Sequence, residues 1–343
     1  MTDIPESEPS LHCLDLHAAG EPCRVLRDAR LTAVPGATMR ERLDYVKANL
    51  DELRSAVMRE PRGHEAMFGS IIMPPATPDA DVGVLYICPG GYLDMCVHGT
   101  ICTCRAAAEL GLPLHDPGRV VIDAVCGRII GELQRDAQGR AKTVTIQNVP
   151  SFVYTPEPVM LEVAGLARPV PAHVVFAGNF FVLVDYAALG QEPALLEDHP
   201  ARDLQDLGIA IRDAANAAVK VAHPTNPSTN EITLTVLYER KGADPKHMRN
   251  AVVFGEGQMD RSPCGSGTSA LMTLLHHLGE LELNQQMVSE SYIGSVFHGE
   301  LHDGGTVGPY NAVIPRITGQ AFLTGRSEFF REPDDPFRNG FSV

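Results

Sequence analysis

Two short segments of this chain carry residue types suited to moving a proton. Cys96-Val-His-Gly-Thr100 and Cys264-Gly-Ser-Gly-Thr268 share the pattern Cys-x-x-Gly-Thr, and their cysteines lie 168 residues apart in a chain of 343. A Leu-Gly pair follows each at the same interval, Leu110-Gly111 and Leu278-Gly279. One thiol per half, in equivalent positions, predicts two sulfurs facing each other across a cleft. Such a pair could take a proton from one face of a small molecule and return one to the other.

Positioning those thiols requires a strand-to-helix junction in each half. Val84–Cys88 reads as a strand, Pro89-Gly-Gly91 as a turn, and Ile101–Leu110 as a helix ended by Gly111. In the second half Ala251–Phe254, Gly255-Glu-Gly257 and Thr268–Leu278, ended by Gly279, repeat the order. Thr100 and Thr268, each after a glycine, are the expected helix caps. A thiol beside a helix N-terminus meets the positive end of the dipole, worth ~0.3–2 kcal/mol, which should lower its pKa from about 8.5. The unpaired N–H groups there should also hold a substrate carboxylate and the charge that develops on it. Val97, Gly99, Gly265 and Ser266 are the expected substrate-binding backbone, with Gly265 allowing close approach. His98 and Asp260, two residues after and four before their cysteines, are expected to accept or return the thiol proton. Cys96-x-His98-x3-Cys102-x-Cys104 also raises a zinc site, but residues two apart on a helix point in different directions. A disulfide between Cys96 and Cys264 would be an inactivating side reaction.

Elsewhere the chain reads as mixed α/β. Leu31–Val34 is strand-like and Met39–Met58 has helical spacing. Strands are expected at Gly69–Met73, Val82–Cys88, Val120–Ala124, Val144–Val149, His173–Phe176, Phe180–Asp185, Glu231–Tyr238 and Ala251–Phe254. The first ten residues read as a loose arm and Pro150 as the start of a linker. No Gly-x-Gly-x-x-Gly follows a strand and no phosphate-binding loop is present, so nucleotide binding has no support. A net charge of −15 argues against nucleic acid and anionic membranes as partners. With no signal peptide and no apolar run of membrane length, a cytoplasmic protein is expected. Eight cysteines are too few for a disulfide scaffold.

Cys96-Val-His-Gly-Thr-Ile101 and Asp260-Arg-Ser-Pro-Cys-Gly-Ser-Gly-Thr-Ser-Ala270 resemble the two signatures of the proline racemase family. Further matches are Gly20-Glu-Pro22, Glu60-Pro-Arg-Gly-His64, Gly178-Asn-Phe180, Glu290 with Gly294, and Asp334-Asp-Pro-Phe337. The resemblance implies a diaminopimelate epimerase-like fold, with two pseudo-symmetric domains, each a curled mixed sheet around a central helix. Residues 11–149, with a returning segment 316–343, would form the Cys96 domain, and 150–315 the Cys264 domain. It also implies a cytoplasmic homodimer that needs neither pyridoxal phosphate nor metal.

Within the family, a threonine at the second cysteine position marks trans-3-hydroxy-L-proline dehydratases. Two thiols point instead to a two-base racemase or epimerase. Phe68 and Phe254 match the apolar ring walls of proline racemases and favour an unsubstituted ring, whereas Gly255-Glu-Gly257-Gln258 resembles the 4-hydroxyproline epimerases. Proline is the favoured substrate. Epimerisation of 4-hydroxyproline, a dehydratase, and an inactive proline-binding homologue are the alternatives. Val97 replaces a usual glycine, Ala18 a usual threonine, and Glu300 a common basic residue.

Overall fold

A computed structural model of the chain describes residues 10–190, 196–244 and 246–342. The expected loose arm therefore lies almost wholly outside the described residues. The strands form two rings that share one long strand, Tyr310–Phe329.

The first ring runs through Leu11–Ala18, Glu21–Arg27, Gly69–Met73, Val82–Cys88, Arg119–Ala124, Gly127–Arg135 and Ala141–Gln147. Tyr310–Phe329 closes it, pairing antiparallel with both Ala141–Gln147 and Leu11–Ala18. The second ring uses the start of the same strand. It passes through Val296–Val307, Met287–Ser291, His247–Phe254, Ile232–Arg240, Phe180–Asp185, Val170–Phe176 and Phe152–Val153. A bridge between Ser151 and Val313 completes the circuit.

Each ring contains two parallel pairings, and a parallel pairing requires a crossover long enough to hold a helix. Helix Val97–Glu109 joins Val82–Cys88 to Arg119–Ala124, as Gly265–His277 joins His247–Phe254 to Met287–Ser291. Both lie inside their rings, with Val97–Ala107 and Gly265–Leu275 buried without interruption. Small and apolar residues on every side make that burial favourable. Glycines on the encircling strands permit close approach: a Cβ at Gly131 would stand 2.3 Å from Cys104 Sγ, and one at Gly299 2.6 Å from Met272 Sδ. The second crossover of each half packs outside, as the pair Met39–Asn49 and Asp51–Met58 and as Ala201–Ala218. The mixed α/β class, with curled sheets around central helices, is as expected.

Several local expectations are corrected. Of Leu31–Val34, all but Val34 falls in a 3-10 turn, Ala29–Ala33, begun by Asp28, whose carboxylate accepts the Arg30 N–H. The long helix over 39–58 breaks at Leu50, whose φ of −137° is not helical. The 18-residue helix Ala201–Ala218 has no counterpart among the sequence expectations. Among the described residues, no helix is long and apolar enough to cross a membrane.

Candidate active site

The two inner helices meet at their N-termini. A Cβ at Gly265 would stand 2.4 Å from Val97 Cγ1, so the valine lies directly against the first residue of the opposite helix. Each helix is capped by its cysteine rather than by the threonine four residues later. Cys96 Sγ accepts the Gly99 N–H and Cys264 Sγ the Gly267 N–H, both at 3.4 Å. The threonine hydroxyls turn back to main-chain carbonyls, Thr100 to Cys96 at 2.6 Å and Thr268 to Pro263 at 2.9 Å. Sulfur can take the cap because a thiol, like a hydroxyl, reaches the third N–H of the helix.

His98 sits between the halves. Its Nδ1 lies 3.1 Å from Cys96 Sγ and 4.0 Å from the Asp260 carboxylate. Asp260 accepts the Ser262 N–H at 2.8 Å, and Ser262 Oγ in turn accepts the Cys264 N–H at 3.1 Å, which orders the second thiol's loop. Ser266 Oγ is 3.7 Å from Cys264 Sγ. Phe68 lies against His98, with ring centroids 4.6 Å apart, and meets Phe254 edge-on at 6.1 Å. A Cβ at Gly99 would be 3.1 Å from the Phe68 ring. The structure thus brings together Cys96, Val97, His98, Gly99, Phe68, Phe254, Asp260, Cys264, Gly265 and Ser266 around one junction.

This arrangement is closed, with Cys96 7% and Cys264 6% exposed. Burial reverses the expected direction of both thiol pKa values. Desolvation pushes Cys96 well above the usual thiol range, outweighing the Gly99 N–H that favours the thiolate; Asp260 and Cys264 raise it further. Cys264 is raised by burial and then by Asp260, against the pull of the Gly267 N–H and the Ser266 hydroxyl. His98 is held below the ordinary imidazole range by burial, and hence neutral, although Asp260 pulls the other way. The helix-end effect is present but smaller than the cost of ionising a sulfur away from water.

Glu21 and Arg261 were not singled out as site residues from the sequence. Glu21 is fully buried, and its Oε2 takes the Arg261 N–H at 2.8 Å and faces Arg261 Nε at 2.9 Å. Burial, and then Asp260, push its carboxyl well above the usual range against the pull of Arg261. The only sequence signal was its place in Gly20-Glu-Pro22. Tyr86, whose hydroxyl meets Thr100 Oγ1 at 2.5 Å, carries no signal in the sequence, because a tyrosine in a strand ordinarily reads as core.

The sequence model of the family described as proline racemase matches residues 13–342. The chain belongs to the proline racemase family. It is 39% identical to a proline racemase of Clostridioides difficile over 97% of this chain and 98% of that one. It is 38% identical to a 4-hydroxyproline 2-epimerase of Streptosporangium roseum over 96% and 97% of the two chains. A hydroxyproline epimerase from Agrobacterium vitis, solved with trans-4-hydroxy-L-proline bound, superposes with a TM-score of 0.89 at 27% identity, covering 98% of this chain and 95% of that one. Membership in the proline racemase family makes the chain an isomerase of the racemase and epimerase type.

Proposed function

We propose that the chain is a proline racemase that interconverts L- and D-proline without a cofactor, with Cys96 and Cys264 as the two bases. The carrying observation is the pair of helix starts, each capped by a sulfur at the junction where Val97 meets Gly265. One thiolate takes the Cα proton and becomes a thiol, while the opposite thiol gives its proton to the other face and becomes the thiolate. The enzyme is left with the roles exchanged, ready for the opposite hand. The first N–H groups of a helix lack intrahelical partners, so Val97, His98, Gly265 and Ser266 supply donors for the substrate carboxylate. Asp260 supplies the charge that a proline ammonium would meet, and that ammonium offsets the cost of a buried thiolate. His98 and Asp260 hold or relay the thiol protons.

An unsubstituted ring is favoured over 4-hydroxyproline because Phe68 and Phe254 offer no partner to a hydroxyl. The nearby Gln258 amide is committed, with Oε1 accepting the Glu256 N–H at 2.9 Å and Nε2 donating to Glu65 O at 3.1 Å. The epimerase reading keeps the likeness of residues 255–258 and the 38% identity to an epimerase.

The proposal takes residues 11–149 with 316–343, and 150–315, as two jaws that part to admit substrate. It extends, on family resemblance, to a cytoplasmic homodimer. Chiral chromatography on L-proline, trans-4-hydroxy-L-proline and trans-3-hydroxy-L-proline side by side tests the assignment. Racemisation of proline above the other two is expected. Faster turnover of trans-4-hydroxy-L-proline would make the chain an epimerase, and a dehydrated product from the 3-hydroxy compound a lyase.

A further inference from the structure

Glu21 opens the strand Glu21–Arg27, directly after a turn in which Ala19 and Gly20 take φ of 51° and 91°. From the first half it reaches into the signature segment of the second and takes both the main-chain N–H and the guanidinium of Arg261. Its second oxygen, Oε1, is buried without a partner. Two other first-half groups hold the same segment. Arg261 Nη2 donates to Ala66 O at 2.9 Å, and Ser295 Oγ, 3.4 Å from Arg261 O, donates to Ala19 O at 2.7 Å. Arg261 is next in sequence to Asp260, and its charge is felt at His98.

A guanidinium beside a buried carboxylate would ordinarily pair with it. Here Arg261 is committed to Glu21, while Asp260 takes the Ser262 N–H and faces the His98 ring.

We propose that Glu21 is a positioning residue for the reaction. By binding Arg261 across the junction, it keeps that cation off Asp260 and leaves the Asp260 carboxylate for the ammonium of the substrate. This rests on the reading of Cys264 and Asp260 given above. Closure of the halves and preparation of the ammonium site then become one event, because both need the Glu21–Arg261 contact.

Binding of two ligands that differ only at the ring nitrogen separates this from a structural role. DL-proline carries the ammonium; cyclopentanecarboxylate keeps the ring and carboxylate without it. In Glu21→Gln the amide oxygen still accepts the Arg261 N–H, but with no negative charge it holds the guanidinium less firmly against the pull of Asp260. By calorimetric titration, proline affinity should fall about tenfold or more, while that of cyclopentanecarboxylate changes less than about threefold. Equal weakening of both, or no change in either, overturns the proposal and leaves the functional reading intact. A wild-type protein that binds neither ligand overturns that reading and the proposal with it. Should Glu21→Gln fail to fold, Glu21→Asp, whose shorter side chain draws the carboxylate away from Arg261, gives the same test with the same sign. Proline should again lose on cyclopentanecarboxylate, and a ratio that is unchanged or moves the other way overturns the proposal.

Discussion

The two cysteine-capped helix starts agree in one respect and differ in two. In both, the sulfur accepts the N–H three residues on, at the same 3.4 Å. Cys96 does so from extended backbone, φ −151°, whereas Cys264 does so from φ 50°, in the left-handed region that side chains other than glycine's avoid. Cys96 has an imidazole within 3.1 Å; Cys264 has a hydroxyl at 3.7 Å and the Asp260 carboxylate nearby. The cap is common because the same five-residue pattern builds it twice. Proton handling is unequal because the residue two places after the cysteine is His98 in one half and Ser266 in the other. Strain at Cys264, of order 1–3 kcal/mol, persists because Asp260 and Ser262 fix the loop before it.

The largest expected effect breaks the pair itself. Cys96→Ser and Cys264→Ser should each lower proline racemisation by about a thousandfold or more, measured by chiral chromatography. Each variant keeps one thiol, so each should still exchange the Cα hydrogen of one enantiomer with D2O, and the enantiomers should be opposite. Exchange of the same enantiomer by both would end the idea of two opposed faces.

Stability against pH sharpens the same contrast. The folded pKa of both thiols is raised, so their contribution is complete below the unfolded value of about 8.5 and is lost as pH rises above it, by about 1.4 kcal/mol per pH unit for each thiol. Cys13, pushed up to about 12 by burial, adds to that slope. His98 has the opposite sign. Its folded pKa is depressed, so its contribution is present above about 6.5 and falls away as pH drops below that. Denaturant midpoints should fall more gently above pH 9 in either serine variant, and more gently below pH 6.5 in His98→Gln. An unchanged alkaline slope in either serine variant would mean that its thiol is not buried in solution.

Contact between the two helix starts can be tested by volume. Gly265→Ala would place a Cβ 2.4 Å from Val97 Cγ1 and should destabilise by about 1–3 kcal/mol. Val97→Gly, which removes the Val97 Cβ that would stand 2.6 Å away as well as Cγ1, should make Gly265→Ala nearly free of further cost in the double variant, and additive losses by thermal melting would show that the helices do not meet. The smallest effect concerns the backbone. Glycine should exceed alanine at both N-caps, and by about 1 kcal/mol more at position 264, where φ is positive, than at 96.

Much of this was legible before any coordinates. The strands at Gly69–Met73, Val82–Cys88 and Phe180–Asp185 end where short apolar runs meet turn residues, and Gly111 and Gly279 end their helices with φ of 62° and 76°. Ala201–Ala218 was not legible, because its alanines and scattered charges give weak periodicity until packed. Glu21, some 240 residues before Arg261, carried no local sign of an ion pair.

The chain pattern alone determined two equivalent thiols, each at the mouth of a helix, since strand, turn, Cys-x-x-Gly-Thr and helix are local features repeated in each half. Tertiary structure decided which form of those thiols is stable, because ionisation depends on how much water and which charges lie near the sulfur. Burial at the junction, not the helix end, sets that balance.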